Sequence, residues 1–367
     1  MTTENIDSLS LEQKIGQLFF IGIVGPEIDA PTRELLAEVA PGGVCLFARN
    51  IKEASQTREL LDNIRSLLPL TPLLSLDQEG GLVDRLRRVI TPMPAASKIT
   101  SAADAAQFGT IIGETLRILG FNMDFAPVVD VIDDERSKYS NGLFSRTFGH
   151  SKEEATFFAG EFLRTLQTNG IVGCLKHFPG LAAAQVDSHE ELPVVDISEA
   201  ELSSTDLFPY RALLRNANAI MAAHAAFPKH PLQEADQNGK LLPASLSYNF
   251  VTTLLRGELR FDGLVITDDL EMGAIIKNYG IGDACKMAVN AGVDMLAICA
   301  DPDNVREGYN AILNAVSSGE IGLDRIEESL NRIARTKNLS EPLKFDPDRL
   351  ETLSNEIAAF NERLNRS

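Results

Sequence analysis

Short, continuous apolar runs recur along the chain and limit what it can fold into. Eight of them, rich in Val, Ile, Leu and Phe, alternate with stretches of helical periodicity. Runs that are apolar at every position are typical of strands covered on both faces, as in parallel sheets. The pattern predicts an α/β fold, and eight strand–helix units favour a (β/α)8 TIM-type barrel. The predicted strands are 17–24, 43–47, 72–76, 122–129, 171–175, 219–223, 264–267 and 294–299.

The linkers between these units contain no low-complexity tract and no helical-array repeat, so the sequence predicts a single domain over residues 1–367. The barrel is expected over about residues 11–337, with a helical tail, 338–367, packed outside it. No Gly-x-Gly-x-x-Gly motif opens a strand–helix unit, which argues against a dinucleotide-binding fold.

Charge and cysteine content restrict the partners and the compartment. Acidic residues outnumber basic ones, 52 to 34, for a net charge of −18, which argues against nucleic acid or an anionic membrane as partner. Four scattered cysteines, at 45, 174, 285 and 299, are expected to be buried free thiols in a reducing compartment. No signal-peptide pattern and no apolar run near 18 residues is present, so we expect a soluble, cytoplasmic protein.

The stretch Lys176-His177-Phe-Pro-Gly is the strongest indication of an active site. It follows the apolar run 171–175, so Lys176 and His177 are expected at the carboxyl end of a buried strand. Pro and Gly then break regular structure, and the loop beyond carries Asp187 and His189. An aspartate two residues from a histidine is placed to orient its imidazole, and together these residues predict an active site rather than a structural loop.

Other polar residues also follow predicted strands. Asp268 comes directly after 264–267, where it is expected to act as nucleophile, base or metal ligand, and Asp269 is expected to cap a helix beginning near residue 270. Asp77 and Arg85 flank Gly80-Gly81 and suit a hydroxylated ligand.

The sequence gives weaker predictions for the environment of four further residues. Arg146 in FSRTFG is, taken alone, a solvated loop residue, and His150 and His230 are expected to be solvated. His224 is expected to lie on the pocket floor or to support a residue there.

Together these residues resemble the family 3 glycoside hydrolases, and among them the single-domain β-N-acetylhexosaminidases that recycle bacterial cell wall. The resemblance runs from about residue 11 to 337 in one order. The matching stretches are DQEGG.VDRL (77–86), NMDFAPVVDV (122–131), SRTFG (145–149), KHFPG......DSHEE (176–191), IMAAH (220–224), PASLS (243–247) and GLVITDDLEM (263–272).

The resemblance implies a retaining exo-β-N-acetylhexosaminidase that removes terminal β-linked GlcNAc from small saccharides, derived from muropeptides or chitin, without metal or organic cofactor. It makes Asp268 the nucleophile, His189 the general acid/base and Asp187 its orienting partner. It makes five residues the sugar-binding set: Asp77, Arg85, Arg146, Lys176 and His177.

The chain departs from the family pattern at Leu82, where the family commonly has Arg, and at Ala182, where a glycine is usual. Three alternatives stay open: a GlcNAc phosphorylase, a β-glucosidase, or a lyase that uses Lys176 as a Schiff base. The partner expected is a small-molecule saccharide, and the chain is expected to be a monomer.

Overall fold

The computed structural model describes residues 6, 8–138, 142–184 and 191–366. Two of the predicted site residues, Asp187 and His189, lie outside the described residues. Their roles stay predictions.

Strands form in all eight predicted apolar runs. In chain order the strands are β1 Phe19–Gly22, β2 Gly43–Cys45, β3 Leu73–Ser75, β4 Gln78–Gly80, β5 Val83–Asp84, β6 Met123–Asp124, β7 Val172–Phe178, β8 Ala219–Ala222, β9 Leu264–Thr267 and β10 Leu296–Ile298. β4 and β5 form an antiparallel hairpin that the runs did not predict. β7 continues past the predicted end, so Lys176 and His177 lie within its last residues.

The other eight strands pair in parallel, in two four-stranded sheets with the orders β10-β1-β2-β3 and β6-β7-β8-β9. Separate hydrogen bonds join the sheets at both junctions. The Asn122 amide donates to the Leu74 carbonyl at 3.1 Å and the Phe125 amide to the Leu76 carbonyl at 2.9 Å, and at the other junction the Thr267 amide donates to the Met295 carbonyl at 3.0 Å beside an isolated bridge between Ile266 and Met295. No continuous strand ladder is assigned at either junction among the described residues. The described strands therefore do not form one closed ladder. The predicted α/β class with parallel strands is confirmed, and closure into a (β/α)8 barrel stays a prediction.

Helices connect the strands and cover the sheets. They begin where the sequence supplies caps, as at Ser101 and Ser151, whose hydroxyls accept from the amides of Asp104 and Glu154. The α-helices are α1 Leu11–Gly16, α2 Ala30–Val39, α3 Ala54–Leu67, α4 Ala102–Leu119, α5 Lys152–Thr168, α6 Glu199–Glu201, α7 Leu207–Leu213, α8 Gly273–Ile276, α9 Ile281–Ala291, α10 Pro302–Ser317, α11 Leu323–Thr336 and α12 Pro347–Leu364. Short 3-10 helices span Ala96–Lys98, Arg136–Lys138 and Ala244–Leu246, and π-helices span Leu202–Asp206 and Asn249–Glu258.

Two local predictions are wrong. Asp269 does not cap a helix at residue 270, because α8 begins only at Gly273 and the Asp269 carboxylate instead accepts from the Glu271 amide at 3.1 Å. His230 is buried rather than solvated: its ring lies 5.4 Å from that of Phe250, a favourable aromatic contact.

The tail helix α12 packs against α4, and its place outside a closed barrel stays a prediction. Phe360 lies 6.3 Å from the ring of Phe108, and Arg349 makes two 2.7 Å bonds with the Glu114 carboxylate. None of the helices among the described residues is both long and apolar enough to cross a membrane.

Candidate active site

A cavity of about 360 Å³ lies at the carboxyl ends of the parallel strands. Parallel strands end at one edge, so residues that follow them converge there although they are far apart in sequence. The cavity is lined by six of the predicted site residues: Asp77, Arg85, Arg146, Lys176, His177 and Asp268.

The β4–β5 hairpin brings Asp77 and Arg85 together. Gly80 and Gly81 have φ values of +83° and +59°, and a Cβ on Gly80 would lie 2.1 Å from the Pro94 carbonyl oxygen. The Gln78 side chain accepts from the Arg85 amide at 3.0 Å, which fixes the returning strand. As a result, Arg85 Nη2 lies 3.4 Å from Asp77 Oδ2.

Lys176 is at the centre of a buried ion-pair cluster. Its Nζ lies 2.7 Å from Asp77 Oδ1 and 2.6 Å from Glu79 Oε1, and its side chain is 1% exposed. Arg146 binds the same Glu79 carboxylate through two bonds of 2.7 and 2.9 Å. With Arg85, three cations face two carboxylates. The prediction of Arg146 as a solvated residue, made for its motif alone, is therefore wrong, because the Glu79 carboxylate and the cavity wall hold it.

The charged groups in this cluster shift one another's pKa values. Burial alone would raise the pKa of Asp77 and of Glu79, but the neighbouring cations, led by Lys176, hold both below their ordinary values. Burial would likewise lower the pKa of Lys176, and the two carboxylates raise it instead. The cluster thus offers fixed charges that make strong hydrogen bonds to ligand hydroxyls.

His177 is held by Asp130, a residue to which the sequence assigned no chemistry. The Asp130 carboxylate lies 2.8 Å from His177 Nδ1, and it also accepts from the backbone amides of His177 and Leu181 at 3.2 and 2.6 Å. The carboxylate therefore fixes the imidazole and the start of the following loop together. An imidazole whose Nδ1 is bonded to a carboxylate keeps Nε2 for other contacts.

Asp268 follows β9 directly, as predicted, and hydrogen bonds to its backbone and side chain fix its position. Its amide donates to the Ala222 carbonyl at 3.1 Å, and its Oδ1 accepts from the Asp269 amide at 2.8 Å. His224 Nε2 lies 3.1 Å from the Asp269 carbonyl, and His224 Nδ1 lies 2.7 Å from the Ser245 hydroxyl. Burial lowers the pKa of His224, so a neutral ring donates through Nε2 and accepts at Nδ1. His224 thus supports the turn that carries Asp268.

Burial raises the pKa of two more carboxyls near the site. Burial raises the pKa of Asp124 well above its ordinary value. Its Oδ1 accepts from the Gln78 amide, and its buried Oδ2 has no hydrogen-bond partner among the described residues. Burial also raises the pKa of Asp269, to about 7.

Sequence reasoning did not single out Glu79 as part of the site. A signal for it was present: Asp77 and Glu79 are two residues apart in an extended segment, a spacing that puts both side chains on one face. For Asp130 the sequence offered only its place after an apolar run. One of its partners, His177, lies near the end of β7 and the other, Leu181, lies just beyond it, so both meet Asp130 only in the fold.

Comparisons with known proteins identify the family. The model of the glycosyl hydrolase family 3 N-terminal domain matches residues 10–336. A beta-hexosaminidase of Pseudomonas aeruginosa is 35% identical over 288 residues, which are 77% of this chain and 82% of that protein. Another, from Methylococcus capsulatus, is 33% identical over 303 residues, 81% of this chain and 86% of that protein.

Solved structures agree with this result. A family 3 beta-N-acetylglucosaminidase from a Paenibacillus species superposes with a TM-score of 0.86 at 34% identity, over 96% of this chain and 69% of that one. A family 3 glycosyl hydrolase from Mycobacterium smegmatis gives a TM-score of 0.81 at 31% identity, over 91% of this chain and 98% of that one. The chain belongs to glycosyl hydrolase family 3 and is a glycoside hydrolase.

Proposed function

We propose that this chain is a retaining exo-β-N-acetylhexosaminidase that removes terminal β-linked GlcNAc from small saccharides of muropeptide or chitin origin. One observation carries the proposal: the Asp268 carboxylate shares a small cavity with the ion-paired set of Lys176, Asp77 and Arg146. The relatives named beta-hexosaminidase and beta-N-acetylglucosaminidase support the choice of sugar.

The polar wall suits one terminal sugar. Pockets for small ligands combine apolar lining with a few fixed polar groups, and this cavity adds Phe47, Met221 and Leu181 to its charged set. Asp77 accepts from sugar hydroxyls, while Lys176 and Arg146 donate to hydroxyl oxygens. Because each of these charges is already paired, little side-chain ordering is needed when the sugar binds.

The chemistry proceeds in two displacements. Asp268 attacks the anomeric carbon, the bond to the leaving oxygen breaks, and His189 supplies the proton that this oxygen takes up. In the second step a water gives a proton to His189 and attacks the same carbon, which releases Asp268 and the free sugar. Asp187 orients the His189 imidazole in both steps.

Lys176 is poorly suited to the lyase alternative. A Schiff base requires a neutral amine, but the two carboxylates raise the pKa of Lys176 and keep it an ammonium. The phosphorylase and the β-glucosidase share the scaffold and differ only in acceptor or sugar.

Four parallel incubations separate these functions. p-Nitrophenyl β-N-acetylglucosaminide and its glucoside counterpart are each tested with and without phosphate. Release from the first alone, at a rate unaffected by phosphate, is the expected result. Acceleration by phosphate with formation of GlcNAc-1-phosphate would make the enzyme a phosphorylase. Release from the glucoside alone would make it a glucosidase, and no release from either would refute the proposal.

Asp268→Ala tests the covalent step. We expect a folded protein whose turnover is lower by several orders of magnitude, because the nucleophile is lost. Asp348→Ala, an exposed residue of the tail helix, is the matched control and should keep the wild-type rate. An Asp268→Ala variant with most of the wild-type activity would exclude the covalent role.

We further propose that the two four-stranded sheets are the two sides of one closed (β/α)8 barrel. We also propose that the chain acts as a monomer. Size-exclusion chromatography with light scattering tests the monomer directly, and a mass of twice 40.0 kDa would refute it.

A further inference from the structure

Two cysteines lie side by side in the wall of the cavity. Cys45 ends β2 and pairs with Gly22 of β1, while the pairing of Ile21 with Ile298 places Cys299 opposite Gly22 on the other side. Residues in register on neighbouring parallel strands point to the same face of the sheet. Cys45, Gly22 and Cys299 therefore form one row across three strands, although the cysteines are 254 residues apart (299 − 45).

Gly22 allows the two sulfurs to meet. A Cβ at this position would lie 1.9 Å from the Cys299 carbonyl oxygen and 2.8 Å from its Cα, so Cys299 crosses directly over the glycine. Cys45 is the largest of the influences, ahead of burial, that raise the pKa of the Cys299 thiol, as expected for two side chains that face each other across the glycine. Both side chains are buried, at 5% and 1% exposure, yet both line the cavity that contains Asp268.

The other two cysteines have a different setting. Cys174 and Cys285 are fully buried, and neither lines the cavity. They behave as small apolar core residues, as buried free cysteines commonly do. Of the four cysteines, only Cys45 and Cys299 are neighbours in register that also line the cavity, so the other two serve as an internal control.

We propose that Cys45 and Cys299 together bind one soft cation, of which Hg²⁺ is the representative, as a bis-thiolate. Two S–H bonds are replaced by two sulfur–metal bonds, and two protons are released. Thiolates select soft cations over hard ones. Among the described residues no group of three or more His, Cys, Asp or Glu is arranged to hold a metal, so the site suits a cation that is satisfied by two ligands.

A cation at this position blocks the enzyme, a consequence that rests on the proposed function. The Cys299 backbone carbonyl accepts from Arg49 Nη2 at 2.5 Å. The Leu270 amide donates to the Ala297 carbonyl at 2.9 Å, so the turn that carries Asp268 is fixed to the strand end that carries this cysteine. Drawing the two sulfurs around a metal shifts that segment. Displacements of about 1 Å in a catalytic arrangement lower rates by about 100-fold.

The test uses paired variants of the full chain. The pair variant, C174A/C285A, keeps Cys45 and Cys299, and the reciprocal variant, C45A/C299A, keeps the two core thiols. Each is incubated with mercuric chloride and a modest excess of 2-mercaptoethanol, separated by gel filtration and analysed for mercury. We expect one Hg²⁺ per chain in the pair variant and none in the reciprocal variant, because two preplaced thiols resist a competing monothiol. Equal retention by both variants, or none by the pair variant, would overturn the proposal.

Folding and function are controlled separately. Circular dichroism confirms the fold of each variant, and C45S and C299S in the pair background, which keep the side-chain volume, should each lose the bound Hg²⁺. Retention by either serine variant would overturn a two-thiol site. Mercury retention is measured without a sugar, so a chain that binds Hg²⁺ but hydrolyses no glycoside upholds the site and refutes the proposed function. In an active chain, bound Hg²⁺ should reduce turnover about 100-fold, with recovery after treatment with a dithiol.

Discussion

Replacing Lys176 by methionine removes a buried ammonium and keeps most of the side-chain volume. The variant leaves Asp77 and Glu79 without the partner that lies 2.7 and 2.6 Å from them. Removing one member of a buried ion pair commonly destabilises a protein by about 3–5 kcal/mol. Arg85 still lies 3.4 Å from Asp77 and Arg146 keeps both bonds to Glu79, so the lower end, about 3 kcal/mol, is expected.

The pH dependence of this loss has a definite sign. Burial would raise the pKa of both carboxyls, and the Lys176 charge is the largest of the effects that lower it instead. A lowered carboxyl pKa adds stability that is fully present above the unfolded value of about 4 and is lost as the pH falls through the folded value. The difference between wild type and Lys176→Met should therefore be full at about pH 7 and shrink below about pH 4.

Urea unfolding followed by circular dichroism measures this difference. Lys337→Met is the matched control: Lys337 is also 1% exposed, but the hydrogen-bond partner of its Nζ is neutral Gln17, and burial lowers its pKa to about 7. Its removal should not destabilise the protein at about pH 7 and should stabilise it there, because the unfolded chain holds a proton that the folded chain gives up or buries as a charge; this cost is nearly full at and below about pH 7 and fades as the pH rises toward about 10. A loss below about 1 kcal/mol for Lys176→Met at about pH 7, typical of an exposed pair, would refute the reasoning.

Three further outcomes are expected. Arg146→Lys should raise KM more than it lowers kcat, because an ammonium cannot reproduce the two-bond contact with Glu79; an unchanged KM in steady-state assays would contradict this. His224→Ala should lower kcat by about 100-fold with KM nearly unchanged, because the turn that carries Asp268 loses a hydrogen-bond partner. A variant with wild-type kcat would show that His224 does not support this turn. Burial raises the pKa of Asp269 to about 7, so the folded chain keeps a proton on this carboxyl that the unfolded chain releases. The free energy of unfolding should therefore fall as the pH rises from about 4 to about 7. Asp269→Asn should remove this fall, of up to about 4 kcal/mol, in urea unfolding at about pH 5 and about pH 8, and an unchanged pH dependence would exclude Asp269 as its source.

The sequence by itself determined the elements and most of the site. Continuous apolar runs can be buried only as strands covered on both faces, so the eight parallel strands were predictable. Polar residues directly after those runs had to meet at one edge of the sheets, which placed Asp77, Lys176 and Asp268 together. The family could be recognised from the sequence because the matching stretches occur along the chain in one order.

Only the tertiary structure decided which charges are paired. Glu79 and Arg146 are 67 residues apart, and no periodicity relates them; the folded chain brings them to 2.7 Å. The placement of Cys45 and Cys299 beside each other likewise depends on the register of three strands and on the absence of a side chain at Gly22. Local sequence encodes elements through the short-range geometry of the backbone, whereas pKa values and thiol contacts depend on through-space distances that the packing of distant elements sets.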